Sequence, residues 1–556
     1  MKVVVVGGVA GGATFASNLR RLDENVEIVM FEKDRDLSFG NCEIPYYLSG
    51  EIADSKELIN RSVDDYVNKL NIKARNFHLV TSINREEKYV TVLDKINNKS
   101  FKESYDYLVL APGTYENMPK SIEGFDHDHV FAVKNVVDVE NIKAFIEKND
   151  VKEVFIGGAG FVALEAAHAL SELGGLNISM LIRKSTSLLG QIDLDLKGFI
   201  KEELINKNIN IISGKSLSKI GEDEVFFDDG TKMRADLVIS SLGVRPQSKL
   251  ARDAGLNLLK DGSIDVDDNF RTSDPNIFAI GDVINPKNFI TGEKSKLNLA
   301  WPAHRQAKFL ASYLLGENLK PPSFIGTFAI KVFDLNVAAV GLNEKSLKDL
   351  AYDYDFALLT HTDAVSNMNN SKKIYLKILF NKTSGQIYGA QALGYGVVDK
   401  RIDVIASAIK LKASIYDLYD LELAYQPFYS TVEDATNLLA KAGINKIEGR
   451  VREISLDEFA SNIGDFEVYD LRDEASYKKG HIRGAKSLHG FNPRKDYDKL
   501  PRDKKIVFYD ENGKVSANSI KVLDNLGIKN VYALSGSLFF FKKYNDLMDL
   551  DMIEDR

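Results

Sequence analysis

The sequence contains a single cysteine, Cys42, among its 556 residues. A chain with one thiol cannot form a disulfide within itself, which excludes a disulfide framework and agrees with a reducing compartment. If Cys42 does redox chemistry, its partner sulfur must arrive on another molecule, and its thiolate must be stabilised locally. The common alternative is that a lone cysteine is a small buried hydrophobic residue.

The chain also lacks an excess of basic residues and a long apolar run near its start. Its 72 basic and 80 acidic residues give a net charge of −8, which argues against general nucleic-acid binding. The apolar run at residues 2–6 is soon interrupted by glycines, so it is too short for a signal peptide or a membrane span. We therefore expect a cytoplasmic enzyme of about three or four domains, with no metal site and no nucleic-acid or membrane partner.

A glycine-rich turn follows the run at 2–6 and leads into helical composition at 13–21 and a second strand at 26–31. Glycines let the backbone approach a pyrophosphate at a helix N-terminus, and an acid about 20 residues further on accepts ribose hydroxyls. Strand, glycines, helix, strand and acid in this order predict a dinucleotide site, with a ligand-free turn as the alternative. The predicted cofactor-binding residues are Gly7, Gly8, Val9, Ala10, Gly11, Gly12, Glu32 and Lys33.

The same arrangement recurs after a strand at 152–156 and before a strand at 177–182, with Gly157, Gly158, Gly160 and Glu165 between them. A second dinucleotide site is therefore predicted. The acid expected after the second strand is missing, and Arg183 and Lys184 stand in its place. A cation there could pair with a 2′-phosphate, which favours NADPH or tolerance of it. Solvated surface charges are the alternative, and NADH remains open.

Cys42 lies in the segment 38–47, shortly after the first glycine motif, where the composition indicates a strand-to-helix turn. A helix N-terminus there would place partial positive charge beside the sulfur, so we expect it to lower the pKa of the thiol. Glu43 acts in the opposite direction, because its charge would raise that pKa and disfavour a polyanionic substrate.

Two strands that end in tight turns, at 107–113 and 236–246, connect the two predicted sites, and the segment 272–282 follows. In this order the motifs resemble the flavoprotein disulfide reductases with two dinucleotide sites. The resemblance implies FAD at the first motif, NAD(P)H at the second, and Asp282 at the FAD ribityl chain. It also places cofactor contacts at Val80, Ala111, Gly113, Gly243, Gly281 and Ala300.

The segment 321–441 mixes short apolar strands, at 374–380 and 387–393, with a helical stretch at 397–411. In the family that the chain resembles, this segment is the dimerisation domain, which implies a homodimer. Residues 421–427 resemble the loop that a partner subunit presents to the cysteine. Tyr425 is thus a candidate catalytic residue, as a proton donor or orienting hydroxyl, with ordinary interface packing as the alternative.

The segments 466–474 and 477–485 resemble the rhodanese family, and a strand at 505–509 should lead into its sulfur-carrying loop. Asp510 stands where that family places its cysteine, and Val515 stands where an arginine is common. The loop is a cradle of backbone N–H groups suited to an anion. A carboxylate at its centre would occupy the cradle and repel thiosulfate, so we expect this domain to carry out no sulfur transfer.

The implied fold is α/β, with two Rossmann-like dinucleotide-binding domains, an α+β dimerisation domain and a C-terminal α/β rhodanese-like domain. The predicted boundaries are 1–114 and 245–320 for the FAD-binding domain, 115–244 for the NAD(P)-binding domain, 321–441 for the dimerisation domain, 442–452 for a linker and 453–556 for the rhodanese-like domain.

A single cysteine excludes the two-cysteine relay of glutathione-reductase-like members. Peroxidases and oxidases of the group typically carry a histidine in the first glycine loop, where this chain has Val9. The segments 8–14, 20–23, 31–36 and 38–47, with the fused C-terminal module, are similar to the coenzyme A-disulfide or persulfide reductase branch.

That resemblance implies that NAD(P)H reduces FAD, which then reduces a mixed disulfide between Cys42 and coenzyme A. It implies a small-molecule disulfide or persulfide substrate, with coenzyme A as substrate or bound mixed disulfide. The implied substrate-binding residues are Arg21, Ser38, Asn41, Arg61 and Lys69. The stretch 361–367 lacks the tyrosine pair that many relatives carry near the active site, which leaves the substrate more open than the flavin chemistry.

Two other functions remain open. The first is an NAD(P)H oxidase that cycles Cys42 through a sulfenic acid. The second is a flavin-loaded redox sensor or scaffold, whose inactive rhodanese-like module binds a partner.

Overall fold

A computed structural model describes residues 1–554. The chain forms two compact units, the first made of 1–183 and 209–324 and the second of 184–208 and the chain from 325 onward. No helix in residues 1–554 is long and apolar enough to cross a membrane.

The first unit opens with a strand, a helix and a second strand, as the pattern of the first glycine motif predicts. Its elements up to residue 116 are β1 (Lys2–Val6), α1 (Ala10–Leu22), β2 (Glu27–Phe31), α2 (Ile44–Ser49), β3 (Lys73–Arg75), β4 (His78–Asn84), β5 (Tyr89–Asp94), β6 (Lys99–Ser104), β7 (Tyr107–Leu110) and β8 (Thr114–Glu116).

The second glycine motif repeats this order. The chain continues with β9 (Val130–Phe131), α3 (Val136–Lys148), β10 (Glu153–Gly157), α4 (Phe161–Glu172), β11 (Asn177–Ile182), α5 (Leu194–Asn206), β12 (Asn210–Ser213), β13 (Leu217–Ile220), β14 (Glu224–Phe227), β15 (Lys232–Arg234), β16 (Leu237–Ser240), β17 (Val244–Pro246), α6 (Lys249–Asp253), β18 (Ile277–Ala279) and α7 (Ala300–Leu314). Of these, α5 belongs to the second unit.

Two parallel five-stranded sheets organise the first unit, in the orders β18-β7-β1-β2-β3 and β12-β11-β10-β16-β9. The apolar run at the start of the chain forms a central strand, and Val3, Val4 and Val5 are fully buried, as a strand covered on both faces requires. Each glycine loop follows the carboxyl end of a central strand, β1 or β10. In open α/β sheets this is the edge at which ligands bind.

In the second unit an antiparallel sheet has the order β19-β20-β23-β22-β21 and carries α9 and α11. Its elements are β19 (Phe328–Val332), β20 (Leu335–Gly341), α8 (Glu344–Asp349), β21 (Asp355–Thr362), β22 (Lys373–Phe380), β23 (Ile387–Gly394), α9 (Asp399–Lys410), α10 (Ile415–Tyr419) and α11 (Ala435–Ile447). We call this part the antiparallel domain. The helix predicted over 397–411 is α9, which is shorter by two residues at its start and one at its end.

The second unit ends in a module built on a parallel sheet of order β24-β29-β28-β25-β27. Its elements are β24 (Glu453–Ile454), α12 (Leu456–Ser461), β25 (Phe466–Asp470), α13 (Glu474–Lys479), β26 (His481–Ile482), β27 (Lys486–Ser487), β28 (Lys505–Tyr509), α14 (Lys514–Asn525), β29 (Val531–Leu534), α15 (Ser537–Met548) and β30 (Ile553–Glu554). The predicted domain boundaries stay a prediction.

The C-terminal module is seated on α5 through its last helix, α15. A Cβ atom at Gly198 of α5 would lie 2.2 Å from the carbonyl oxygen of Lys543, so the two helices meet this closely only because residue 198 is glycine. Beside it, the ring of Phe199 stacks on Tyr375 of β22 at 4.2 Å and contacts Phe540 edge-on at 5.3 Å. Aromatic packing therefore joins α5, the antiparallel sheet and the module within the second unit.

A buried lysine fastens the start of α5 to the same sheet. The side chain of Lys377 on β22 is fully buried, and its Nζ lies 2.7 Å from Asp195, 3.0 Å from Glu344 and 3.2 Å from Asp193. Burial alone would lower the pKa of Lys377, but the three carboxylates outweigh it and raise that pKa. One cation thus holds two buried carboxylates and the half-buried Glu344, and its removal would leave them uncompensated.

We predict that Lys377→Met lowers the stability of the full-length, FAD-loaded protein by about 3–5 kcal/mol, the usual effect of breaking a buried ion pair. Lys382→Met is the matched control, because Lys382 follows the same strand, is exposed and, within residues 1–554, forms an ion pair with Asp353 alone, at 3.3 Å. Its effect should stay within about 0.5 kcal/mol. Calorimetric melting compares the variants, and equal melting temperatures for both would show that the buried cation contributes nothing.

Candidate active site

The first glycine loop runs from β1 into α1. A Cβ atom at Gly12 would lie 1.9 Å from the carbonyl oxygen of Gly7, so only glycine lets the helix start against the end of the strand. The backbone N–H of Gly8 donates to the carboxylate of Glu32 at 2.8 Å. Burial raises the pKa of Glu32. The predicted ribose-binding acid thus lies directly beside the loop.

Asp282 lies in a short turn after β18, where the N–H of Gly281 donates to Gln306 Oε1 at 2.7 Å. The Asp282 carboxylate makes no hydrogen bond within residues 1–554, and burial raises its pKa to about 6. Lys134 interacts electrostatically with it. The Lys134 ammonium is buried without a hydrogen-bond partner among the described residues and lies 3.7 Å from Glu116 Oε1.

The half-buried carboxylate of Asp282 and the buried ammonium of Lys134 form a donor and acceptor set without hydrogen bonds among the described residues, which polar atoms of a bound cofactor would complete. This observation fits a dinucleotide at the first glycine loop. Sequence reasoning missed Lys134, because a lone lysine before a helix carries no motif, and only its burial beside Asp282 marks it.

The second glycine loop lies between β10 and α4, and α4 begins directly after Gly160. Glu165, on the second turn of α4, is largely enclosed, and this burial raises its pKa to about 7. The side chains of Arg183 and Lys184, after β11, are exposed and make no ion pair within the described part of the chain. They are therefore free to meet an anion.

One backbone hydrogen bond holds the start of the cysteine segment against the first glycine loop, and a second ties the segment to Leu58. The N–H of Ser38 donates to the carbonyl oxygen of Gly8 at 2.9 Å, and the N–H of Gly40 donates to that of Leu58 at 2.9 Å. Cys42 follows in a short 3-10 turn, Asn41–Glu43, that runs directly into α2, and its side chain is exposed.

The expected lowering of the Cys42 pKa is wrong. Partial burial raises the pKa of the thiol, and the negative charges of Glu165, Glu43 and Asp282 raise it further. The helix that follows, α2, spans only six residues, and three carboxylates oppose its weak positive end. The opposing effect expected of Glu43 is therefore present, as one of three acidic contributions.

All five predicted substrate residues lie in the first unit. Arg21 is exposed near the end of α1, whereas its neighbour Arg20 is buried and donates to backbone carbonyl oxygens such as those of Leu70 and Val26. Lys69 pairs with Asp65 at 2.5 Å. The remaining three are Ser38, with φ of 48°, Asn41, which is exposed, and Arg61, which is half-buried.

Tyr425 lies in the second unit, in the loop between α10 and α11. Its side chain is 47% exposed, and its hydroxyl makes no hydrogen bond among the described residues. A catalytic role for it stays a prediction.

The loop after β28 is filled by Asp510, which is 4% exposed. Its carboxylate accepts the backbone N–H groups of Gly513 and Val515, each at 2.8 Å. It also accepts the hydroxyls of Ser516 at 3.0 Å and Ser537 at 2.9 Å. Four donors thus converge on the residue that stands where a rhodanese carries its cysteine.

Three family models match the chain in succession. The model of the pyridine nucleotide-disulphide oxidoreductases matches residues 1–307, more than half of the chain. The chain belongs to the pyridine nucleotide-disulphide oxidoreductase family. The model of the dimerisation domain of that family matches residues 327–435, and a rhodanese-like domain model matches residues 455–543.

Several relatives of this oxidoreductase are similar over most of their length. A coenzyme A disulfide reductase of Staphylococcus epidermidis is 35% identical over 79% of the chain and 98% of the relative. The structure of reduced Bacillus anthracis CoADR-RHD has a TM-score of 0.93 and 34% identity, and 98% of each chain is covered. An NAD-dependent persulfide reductase from A. fulgidus has a TM-score of 0.90 and 30% identity, with 97% of this chain and 100% of that one covered.

The comparisons confirm the family resemblance, the α/β fold with its rhodanese-like C-terminal domain, and the expectation of an FAD- and NAD(P)H-dependent enzyme. The oxidoreductase's two glycine loops and the buried groups beside the first of them fit such cofactors. The roles of the individual site residues stay predictions.

We predict that Glu43→Gln lowers the pKa of Cys42, because one of the negative charges that oppose the thiolate is removed. The pH profile of the alkylation rate with iodoacetamide measures this pKa, and its midpoint should move to lower pH. Glu51→Gln is the control, since Glu51 is an exposed acid just beyond α2 that does not act on the sulfur. An unchanged or higher midpoint in Glu43→Gln would contradict the electrostatic role of Glu43.

Proposed function

We propose that this oxidoreductase uses NAD(P)H and FAD to reduce coenzyme A disulfide, coenzyme A persulfide or related polysulfides. The observation that carries the proposal is the position of the only thiol of the chain, which is exposed and lies in a segment tied to the first glycine loop by the backbone hydrogen bond from Ser38 to Gly8. The similarity to a coenzyme A disulfide reductase and to a persulfide reductase supports the same substrate class.

The chemistry at Cys42 follows from the absence of a second cysteine in the sequence. The Cys42 thiolate attacks one sulfur of coenzyme A disulfide, the sulfur–sulfur bond breaks, and one coenzyme A thiolate leaves. A mixed disulfide between Cys42 and the second coenzyme A remains. FAD at the first glycine loop and NAD(P)H at the second, when bound, would supply the electron pair that this reduction needs. The second coenzyme A then departs, and the Cys42 thiolate is restored.

The carboxyl groups near Cys42 affect this cycle in two ways, through proton transfer and through the pKa of the thiol. Glu165, with its pKa near 7, exchanges a proton easily at neutral pH and is suited to protonate a leaving thiolate. The carboxylates that raise the Cys42 pKa also make its thiolate more basic and more nucleophilic, at the expense of the fraction that is ionised.

Coenzyme A carries several phosphate charges, so an acidic protein must offer cations locally. We assign this role to Arg21, Arg61 and Lys69, with Ser38 and Asn41 as hydrogen-bonding residues nearer to the sulfur. We also propose that Arg183 and Lys184 accept the 2′-phosphate of NADPH, while use of NADH remains open.

We further propose a homodimer in the cytoplasm. The match of residues 327–435 to a dimerisation domain supports it. In such a dimer the exposed Tyr425 would be presented to the Cys42 of the partner subunit, as a proton donor or an orienting hydroxyl. The relatives favour a reductase over the oxidase and sensor alternatives.

Cys42→Ser should abolish NAD(P)H-dependent reduction of coenzyme A disulfide, because no other thiol can form the mixed disulfide. Flavin absorbance and its anaerobic bleaching by NAD(P)H should remain, since neither needs the sulfur. Stopped-flow spectroscopy separates the two half-reactions. Retained disulfide turnover in the variant would overturn the mechanism.

Oxygen uptake, measured beside disulfide consumption, distinguishes the alternatives. For a reductase, NAD(P)H oxidation should follow added coenzyme A disulfide mole for mole, with little oxygen consumed. NAD(P)H oxidation that instead follows oxygen would indicate the oxidase. A protein that binds flavin but turns over neither would indicate the sensor.

We propose that the rhodanese-like module transfers no sulfur, because the Asp510 carboxylate takes up the donors of its loop. The full-length protein should show no thiosulfate:cyanide sulfurtransferase activity above a protein-free blank. Activity that survives Cys42→Ser would contradict this, because Asp510 would then not block the cradle.

A further inference from the structure

A basic cleft opens at one edge of the antiparallel domain, where four strand ends meet. The end of β19, the start of β20, the end of β23 and the start of β22 lie side by side, with Lys331 opposite Asn336 in the sheet. The cleft has a volume of about 750 Å³, and Lys331, Asn336, Lys372, Lys373, Tyr375 and Tyr395 contribute to its lining. None of these residues belongs to either glycine motif.

Three ammonium groups in this cleft are uncompensated. Lys331, Lys372 and Lys373 are exposed, and within residues 1–554 none of their Nζ atoms makes an ion pair or a hydrogen bond. Lys373 Nζ lies only over the ring of Phe539, 5.4 Å from its centroid. Like charges gathered in a concave surface repel one another and raise the local positive potential. A protein with a net charge of −8 has no general reason for such a cluster.

One acid, Asp334, lines the cleft itself, and both it and the nearby Glu203 are already engaged. Asp334 pairs with Lys207 at 2.5 Å. Glu203 is buried and accepts the Tyr395 hydroxyl at 2.9 Å and the N–H of Asp334 at 3.0 Å. These two carboxylates are therefore not available to pair with the three lysines of the cleft. A bound anion would supply the negative charge that the lysines lack.

The other walls are aromatic. The ring of Tyr375 is fixed between Phe199, at 4.2 Å, and Phe539, at 5.3 Å. Tyr395 is 41% exposed, so its ring offers a surface on which a flat base can stack. The volume lies within the range of small-molecule sites, roughly 300–1,000 Å³. Ammonium groups, an exposed ring and this size together match a phosphorylated nucleoside.

We propose that this cleft binds a nucleoside polyphosphate, with the phosphates on Lys331, Lys372 and Lys373 and the base on Tyr395. The inference does not depend on the proposed reductase activity, because no residue of the cleft takes part in that chemistry.

The test uses the full-length, FAD-loaded protein with NAD⁺ and NADP⁺ present, so that the nicotinamide site is filled. Isothermal titration calorimetry with sodium tripolyphosphate should show saturable binding, which weakens as salt is added. Lys372→Ala/Lys373→Ala should weaken it roughly tenfold or more, as expected for lost charge-assisted contacts. The control is Lys345→Ala/Lys382→Ala, which removes two exposed lysines of the same domain that pair with Asp349 and Asp353.

ATP tests the base. It should bind more tightly than tripolyphosphate by at least roughly fivefold, as stacking of one base implies. Tyr395→Ala should abolish this preference, and Tyr395→Phe, which keeps the ring and loses only the bond to Glu203, should retain it. Absence of saturable tripolyphosphate binding, or equal affinity in the two double variants, would overturn the site. Equal affinity of the wild type for ATP and tripolyphosphate would overturn the assignment to a nucleoside.

Discussion

The backbone hydrogen bond from Ser38 to Gly8 ties the only thiol of the chain to the loop that starts the first helix. Because no second cysteine can relay electrons, the sulfur itself must stay where a dinucleotide cofactor can reach it. A side chain alone would not secure this position, since the cysteine segment is a loop with exposed residues. Backbone hydrogen bonds of Ser38 and Gly40 hold the start of this segment instead.

The electrostatic environment of this thiol is unlike that of cysteines activated by a helix or a cation. Partial desolvation of the exposed side chain and three carboxylates favour its neutral form. A thiol held in its neutral form reacts more slowly with oxidants, because the thiolate is the species that reacts.

The C-terminal module keeps the rhodanese-like loop but fills it with a side chain of its own. The cradle of N–H groups that suits an anion is intact, but its ligand is the Asp510 carboxylate of the same chain. The hydroxyl of Ser537 joins this network at the start of α15, the helix that packs on α5. The hydrogen bonds that Asp510 accepts therefore join the loop after β28 to the start of α15, the helix through which the module packs on α5.

Local sequence patterns were enough to predict the main strands and helices around the two glycine motifs and the order of the domains along the chain. Strand patterns such as residues 2–6, the two glycine motifs and the cysteine segment are local signals, because each depends on a few consecutive residues. Asp510 in its cradle was predictable for the same reason. Tertiary structure alone decided the raised pKa of Cys42, the buried ammonium of Lys134, the carboxylates around Lys377 and the basic cleft. Each of these depends on charges brought together from distant segments, and their burial and pairing are set by packing that no local pattern encodes.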